Sequence, residues 1–154
     1  MSERITLNDL DKQMQEAVAD TRQRVAELHA ELPRWGLVVW TAGNVSERVV
    51  VDRGDGPVKT DLFVIKPSGV SYDELTADTM VICTLDGEKI DDGTPASLTP
   101  SSDTAAHAYV YRHRDDVGGV VHTHSPYATA WAARREPIPC ALTMMGDEFG
   151  GDIP

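Results

Sequence analysis

Cysteine is scarce in this chain. Cys83 and Cys140 are the two thiols in 154 residues. Two cysteines define no disulfide framework, and the expected setting is a reducing, cytoplasmic one. Long hydrophobic runs are missing too. None approaches the ~18 apolar residues of a membrane-spanning helix, so no membrane partner is expected. The opening Met1-Ser2-Glu3-Arg4 has none of the apolar character of a signal peptide. Positive charge is in short supply, with 14 Lys and Arg against 25 Asp and Glu, a net charge of −11. That argues against nucleic acid as a partner. An anionic ligand would have to be held locally, by backbone amides and a few placed cations. There is no internal repeat, low-complexity tract or linker. Residues 1–154 are therefore expected to form a single domain with a sizeable core.

What is present alternates between two periods. Leu10, Met14, Val18, Val25, Leu28 and Leu32 recur at helical spacing. They predict a long amphipathic helix that starts near Thr6 or Asn8 and stops at Pro33. Leu37 to Trp40 reads as a strand, turned by Thr41 to Asn44 into a second strand from Val45 to Val51. Arg53-Gly54-Asp55-Gly56 is a turn, and Leu62 to Ile65 is a further strand. Met80 to Thr84 and Lys89-Ile90 flank Asp86-Gly87 as a hairpin. Asp91 to Pro100 is a loop, and Thr104 to Arg114 a helix. Val117 to Val121 is a short buried strand. A third helix covers Pro126 to Arg134, with Ser125 at its N-cap and proline at its first position. Helices on a mostly antiparallel sheet predict a three-layer α/β domain.

The chemistry concentrates near His122-Thr123-His124. Side chains alternate along a strand, so two histidines two residues apart share a side. Such a pair suits a divalent metal, with Asp103 as a candidate oxygen ligand; otherwise the pair merely ends a strand. Beside it stands a candidate anion site. Ser101 and Ser102 open a helix, where free N–H groups and the dipole favour phosphate. Ser68 and Gly69 form a tight loop that lets backbone approach a ligand, and Lys66 supplies a point charge. Taken separately, the serines read as helix caps and Pro67-Ser68-Gly69 as an ordinary turn.

Four ordered motifs then tie these pieces together. They are Gly36 to Ser46, Val64 to Val70, Pro100 to Thr104 with His107, and Gly118 to Ser125. Together they resemble the class II aldolase and adducin head family, over about Val18 to Pro154. The family's sugar-phosphate aldolases carry Glu where this chain has Asp103, which its L-ribulose-5-phosphate 4-epimerase branch shares. The resemblance implies a class II aldolase-like fold with a central sheet flanked by helices. It implies Asp103, His122 and His124 as ligands of Zn2+ or another divalent metal. It also implies Asn44, Ser68, Gly69, Ser101 and Ser102, with Lys66, around a sugar phosphate. Asp147 matches a catalytic acid/base, although Met145-Gly146 precede it where the epimerases have His-Ala. The implied reaction breaks and remakes the C3–C4 bond of a 2-ketose 5-phosphate. A homotetramer is implied as well. So are a third His ligand and a Tyr from later sequence, which this chain lacks. His107 reads as a packing or ligand-orienting residue, and His29 and His113 as solvated helix positions. An L-fuculose-1-phosphate-type aldolase and an inactive truncated or adducin-like interaction domain are the alternatives.

Overall fold

The structure, a computed structural model, describes residues 5–154. The chain gathers into two compact units, one running to Thr123 and the other His124–Pro154. The proposed signal-free start, Met1 to Arg4, lies outside the described residues.

The first unit opens with helix α1, Lys12–Arg34. It begins later than its periodicity suggests. Thr6 bridges Asp91 and the Leu7 N–H donates to the Asp91 carbonyl, which ties this stretch down as a short 3-10 turn. Asp11 then caps α1, its carboxylate accepting from the Met14 N–H at 2.8 Å. Pro33 does not stop the helix but sits in its last turn. The stop is Gly36, at φ +66, with the Leu37 N–H closing back on the Leu32 carbonyl at 2.9 Å. That closure consumes the first backbone donor of the expected strand Leu37 to Trp40. The segment instead forms a turn, with Trp40 at φ 61 and the Ala42 N–H bonded to the Val39 carbonyl.

Four antiparallel strands follow among the described residues: β1 Asn44–Asp52, β2 Pro57–Ile65, β3 Val81–Thr84 and β4 Gly119–His122, in the order β3-β2-β1-β4. Between β3 and β4 runs helix α2, Thr104–His113. The hairpin at Asp86-Gly87 is present but short, reduced to a Cys83–Lys89 bridge. The alternation along β2 explains the layers. Leu62 and Val64 face α1 with Val49, Met80 and Ile82, while Phe63 and Ile65 face α2 with Val81, Cys83, Ala108 and Tyr111. Both faces of the sheet are thus covered, and the unit is a helix–sheet–helix sandwich. β4 is less buried than its sequence suggests. It pairs with β1 alone among the described residues, and Val121 is 60% exposed.

A buried carboxylate fastens the loop after β3. Asp92 accepts from the Ile82 N–H at 2.8 Å and from the Thr94 N–H and hydroxyl, and pairs with Arg22 of α1 at 3.2 Å. Its side chain is fully buried.

The second unit holds helices α3, Pro126–Arg134, and α4, Thr143–Phe149. Ser125 occupies the N-cap of α3 without a side-chain cap bond. An Ile138–Ile153 bridge and a Cys140 N–H bond to Asp152 at 2.7 Å close this unit on itself. No helix of the described residues is long and apolar enough to cross a membrane.

Candidate functional site

Register brings the first residues together. Asn44 of β1 pairs with His122 of β4. Asn44 and Ser46, two apart on one strand, share a face, and that face meets α2. Asp103 stands at the N-cap of α2, yet its side chain makes no cap bond. Its Oδ2 instead accepts from Asn44 Nδ2 at 2.6 Å and from His122 Nδ1 at 2.8 Å. An aspartate at this position ordinarily satisfies helix N–H groups, worth about 1 kcal/mol. Here that bond is forgone, and the carboxylate is aimed across the sheet at an imidazole.

Charge follows from these contacts. Burial is the largest influence on Asp103 and works to raise its pKa. Hydrogen bonds from His122 and Asn44 outweigh it, so the carboxyl lies below its ordinary value. Asn44 is 2% exposed, and its Oδ1 is enclosed without a hydrogen-bond partner among the described residues. Such an orphan acceptor is costly unless a donor or cation meets it.

The two candidate phosphate loops are zipped together. The Ser68 N–H donates to the Thr99 carbonyl at 2.8 Å and the Ser101 N–H to the Lys66 carbonyl at 3.0 Å, around a Pro67–Pro100 bridge. Two of the amides available for an anion are therefore already engaged. Ser68 and Gly69 are exposed, Gly69 has φ +71, and Ser102 is exposed at the mouth of α2. Ser101 Oγ accepts from Asn44 Nδ2 at 3.1 Å. Asn44, Ser101, Asp103 and His122 thus form one connected set.

Lys66 is placed differently from the exposed point charge its sequence suggests. It is 2% exposed, and Nζ donates to the Thr41 carbonyl at 3.1 Å and the Pro67 carbonyl at 3.3 Å. Burial lowers its pKa. One of its three N–H donors braces the turn before Asn44, at the Thr41 carbonyl, and a second holds its own loop at Pro67. Tyr72 braces the same turn, its hydroxyl donating to the Ala42 and Gly43 carbonyls at 2.9 and 3.1 Å. Nothing in the sequence pattern marked Tyr72.

His29 corrects its expected solvated placement. It is fully buried, with Nδ1 donating to the Val25 carbonyl at 2.6 Å and Nε2 accepting from the Val45 N–H at 3.0 Å. Burial lowers its pKa to about 4. The imidazole is therefore a neutral tether between α1 and the start of β1. His113 is exposed, as its helical position predicts.

His124 and Asp147 belong to the second unit, where both are exposed and Asp147 lies on α4. The β4 ladder ends at His122, so His124 lies beyond the strand. Among the described residues, no three His, Cys, Asp or Glu side chains are gathered as a ready-made metal cluster. The donor set nevertheless fits a divalent cation. A carboxylate and an imidazole nitrogen 2.8 Å apart are close enough to be neighbours in one coordination shell, where each ligand lies about 2.0–2.2 Å from zinc. The orphan Asn44 oxygen adds acceptor character.

Residues 23–154 match the family described as Class II Aldolase and Adducin N-terminal domain, and the chain belongs to that family. It is 43% identical over 140 residues to a probable L-ribulose-5-phosphate 4-epimerase, UlaF, of Mycoplasma pneumoniae, covering 91% of this chain and 53% of that protein. It is 46% identical over 133 residues to the L-ribulose-5-phosphate 4-epimerase UlaF of Salmonella paratyphi C, covering 86% and 53%. Among solved structures, an L-fuculose 1-phosphate aldolase matches at a TM-score of 0.68 and 29% identity, over 82% of this chain and 54% of that one. The α/β architecture is thus the class II aldolase fold. The chain spans about half the length of the curated relatives it matches.

Proposed function

We propose that this chain carries the cation-binding and phosphate-anchoring part of an L-ribulose-5-phosphate 4-epimerase. The enzyme would interconvert L-ribulose 5-phosphate and D-xylulose 5-phosphate in the cytoplasm. The observation that carries the reading is Asp103, which leaves the cap of α2 to meet His122 and Asn44. The identity to named epimerases supports the branch.

In this reading Asp103, His122 and His124 hold a divalent cation, zinc by preference for mixed N and O donors. The cation, when bound, supplies Lewis-acid polarisation of the ketose oxygens. Ser68, Gly69, Ser101 and Ser102 anchor the phosphate through side-chain donors and open backbone amides, and Asn44, whose two N–H donors go to Ser101 and Asp103, holds Ser101 in place beside it. Lys66 acts on that site through the turn it braces. An anchored phosphate keeps the cleaved fragment in place while it rotates and re-adds by its other face. Asp147 moves a proton at the reacting oxygen on one of those faces.

A second reading, cleavage of an L-fuculose-1-phosphate-type substrate, is favoured by the structural match to that aldolase. One assay separates the two. Zinc-loaded protein, expressed from its whole reading frame, is offered both sugar phosphates. Interconversion of the pentuloses, with kcat reduced in Asp147→Asn far more than substrate affinity, supports the epimerase. Cleavage of L-fuculose 1-phosphate without epimerisation transfers the assignment to the aldolase.

A further inference from the structure

Ser46, His107 and Tyr111 form a buried cluster that the proposed reaction leaves unused. Their exposures are 1%, 2% and 0%. Ser46 Oγ lies 2.7 Å from His107 Nδ1 and 2.7 Å from the Tyr111 hydroxyl. Each hydroxyl has one hydrogen to donate, and a neutral imidazole carries one on either nitrogen. One assignment satisfies all three groups. The Tyr111 hydroxyl has a single acceptor among the described residues, Ser46 Oγ, and donates to it. Ser46 therefore turns its own hydrogen to His107 Nδ1, which must be bare. The ring proton is then on Nε2. The reverse order, from His107 through Ser46 to Tyr111, buries the tyrosine hydrogen with no acceptor. An unmade buried bond of that kind disfavours the reverse order by about tenfold or more.

The other side of the ring is available. Nε2 makes no hydrogen bond among the described residues, yet the enclosed partnerless side-chain atoms there are Arg22 Nε and Asn44 Oδ1. Nε2 therefore meets accessible space. Asp103, one helical turn before His107, and His122 are both close enough to act electrostatically on the ring. Burial, the largest influence, lowers the pKa of His107.

We propose that the relay from Tyr111 through Ser46 fixes His107 as an Nε2–H donor, barring it from the cation and presenting it to an oxygen of the ligand beside Asp103 and His122. The proposal rests on the reading of Asp103 and His122 as cation ligands. A bare imidazole nitrogen so near them would compete for the cation. A protonated Nε2 has no lone pair to give, and Nδ1 is occupied by Ser46. A neutral N–H serves a partly negative ketose oxygen without bringing a charge into the site.

Heteronuclear NMR of the imidazole nitrogens in the intact chain reads the tautomer directly. The expected result is a bare Nδ1 and a protonated Nε2 on His107. That state should persist as Zn2+ alone is added, while the His122 nitrogens shift. An Nδ1–H form, a mixture of tautomers, or loss of the Nε2 proton on adding Zn2+ overturns the proposal. Ser46→Asp places an acceptor between the two partners and should flip the ring to Nδ1–H. A folded Ser46→Asp chain that keeps Nε2–H also overturns it, and if that variant does not fold, the wild-type tautomer still decides. L-ribulose 5-phosphate added to the Zn2+-loaded chain should move the His107 Nε2–H signal. A still signal alongside moving His122 signals refutes the donor role. If Zn2+ leaves His122 unmoved, the cation-site reading fails, while the tautomer of the metal-free chain tests the relay by itself.

Discussion

Gly43→Ala perturbs the site while leaving every candidate ligand in the sequence. Gly43 has φ +76 and directly precedes Asn44. A Cβ built there would stand 2.5 Å from Val38 Cγ1 and 2.9 Å from the carbonyl oxygen of His122. The valine methyl can give way, but the carbonyl is backbone and belongs to the strand that presents the His122 ring. Two costs therefore combine. The left-handed conformation costs an L residue about 1–2 kcal/mol. Overpacking against Val38 and His122 costs about 1–3 kcal/mol more. The smaller conformational freedom of alanine in the unfolded chain returns about 0.4–1 kcal/mol. The net expectation is a loss of about 1–5 kcal/mol, read as a lower urea midpoint at unchanged slope. Because the strain falls on the Asn44–His122 pairing, zinc affinity should drop as well, by tenfold or more for a shift worth about 1.4 kcal/mol at the ligands. A Gly43→Ala protein within about 0.5 kcal/mol of wild type, binding zinc equally well, would refute this account of how the turn sets the site.

Other outcomes follow from the buried polar groups. His29 has its pKa lowered from 6.5 to about 4. The unfolded chain thus takes up a proton first as pH falls, and stability is full above about 6.5 and declines toward 4. The decline should reach about 3 kcal/mol, and His29→Gln should flatten that part of an acid-unfolding curve. If the variant keeps the wild-type slope, His29 is not its source. Asp92→Ala leaves the Ile82 N–H without its partner and Arg22 with the residue-92 carbonyl but no carboxylate, and should cost about 3–5 kcal/mol in chemical denaturation; a cost under about 1 kcal/mol would contradict its role as the loop fastener. Tyr72→Phe keeps the ring but frees the Ala42 and Gly43 carbonyls. It should weaken inorganic phosphate binding with little change in unfolding midpoint, and an unchanged phosphate titration would show that the turn does not need this brace.

The parts of this molecule that were legible in sequence are those set by local pattern. The helical spacing through Val18, Val25 and Leu32 gave a buried stripe, although Leu28, expected in it, is 47% exposed. The continuous apolar run Leu62 to Ile65 gave a strand, and the structure covers both of its faces. The spacing of the Asp103 and His122 motifs pointed to residues that meet at 2.8 Å. What local pattern hid is set by distant partners. The start of α1 yields to the Asp91 bridge, and the apolar run Leu37 to Trp40 has its first N–H claimed by the helix before it. His29 looks like a surface histidine until the Val45 N–H is placed against it. Lys66 looks like an anion's counter-charge until its ammonium is found on the Thr41 and Pro67 carbonyls. A sharper reading was available for Tyr111. It follows His107 by four residues on one helix, while Ser46 follows Asn44 by two on one strand, so both pairs present polar groups to a shared interface.

The central proposal is that Asp103 leaves its helix cap to serve, with His122, as a cation ligand. Zinc titration of the purified chain, with elemental analysis of the metal-to-protein ratio, tests this most directly. Wild type should hold one zinc per chain, and Asp103→Ala and His122→Ala should each lower affinity by at least about tenfold, in line with the loss of a metal-site partner. Wild type that binds no zinc, or a metal ratio and affinity unchanged in both variants, would contradict the account.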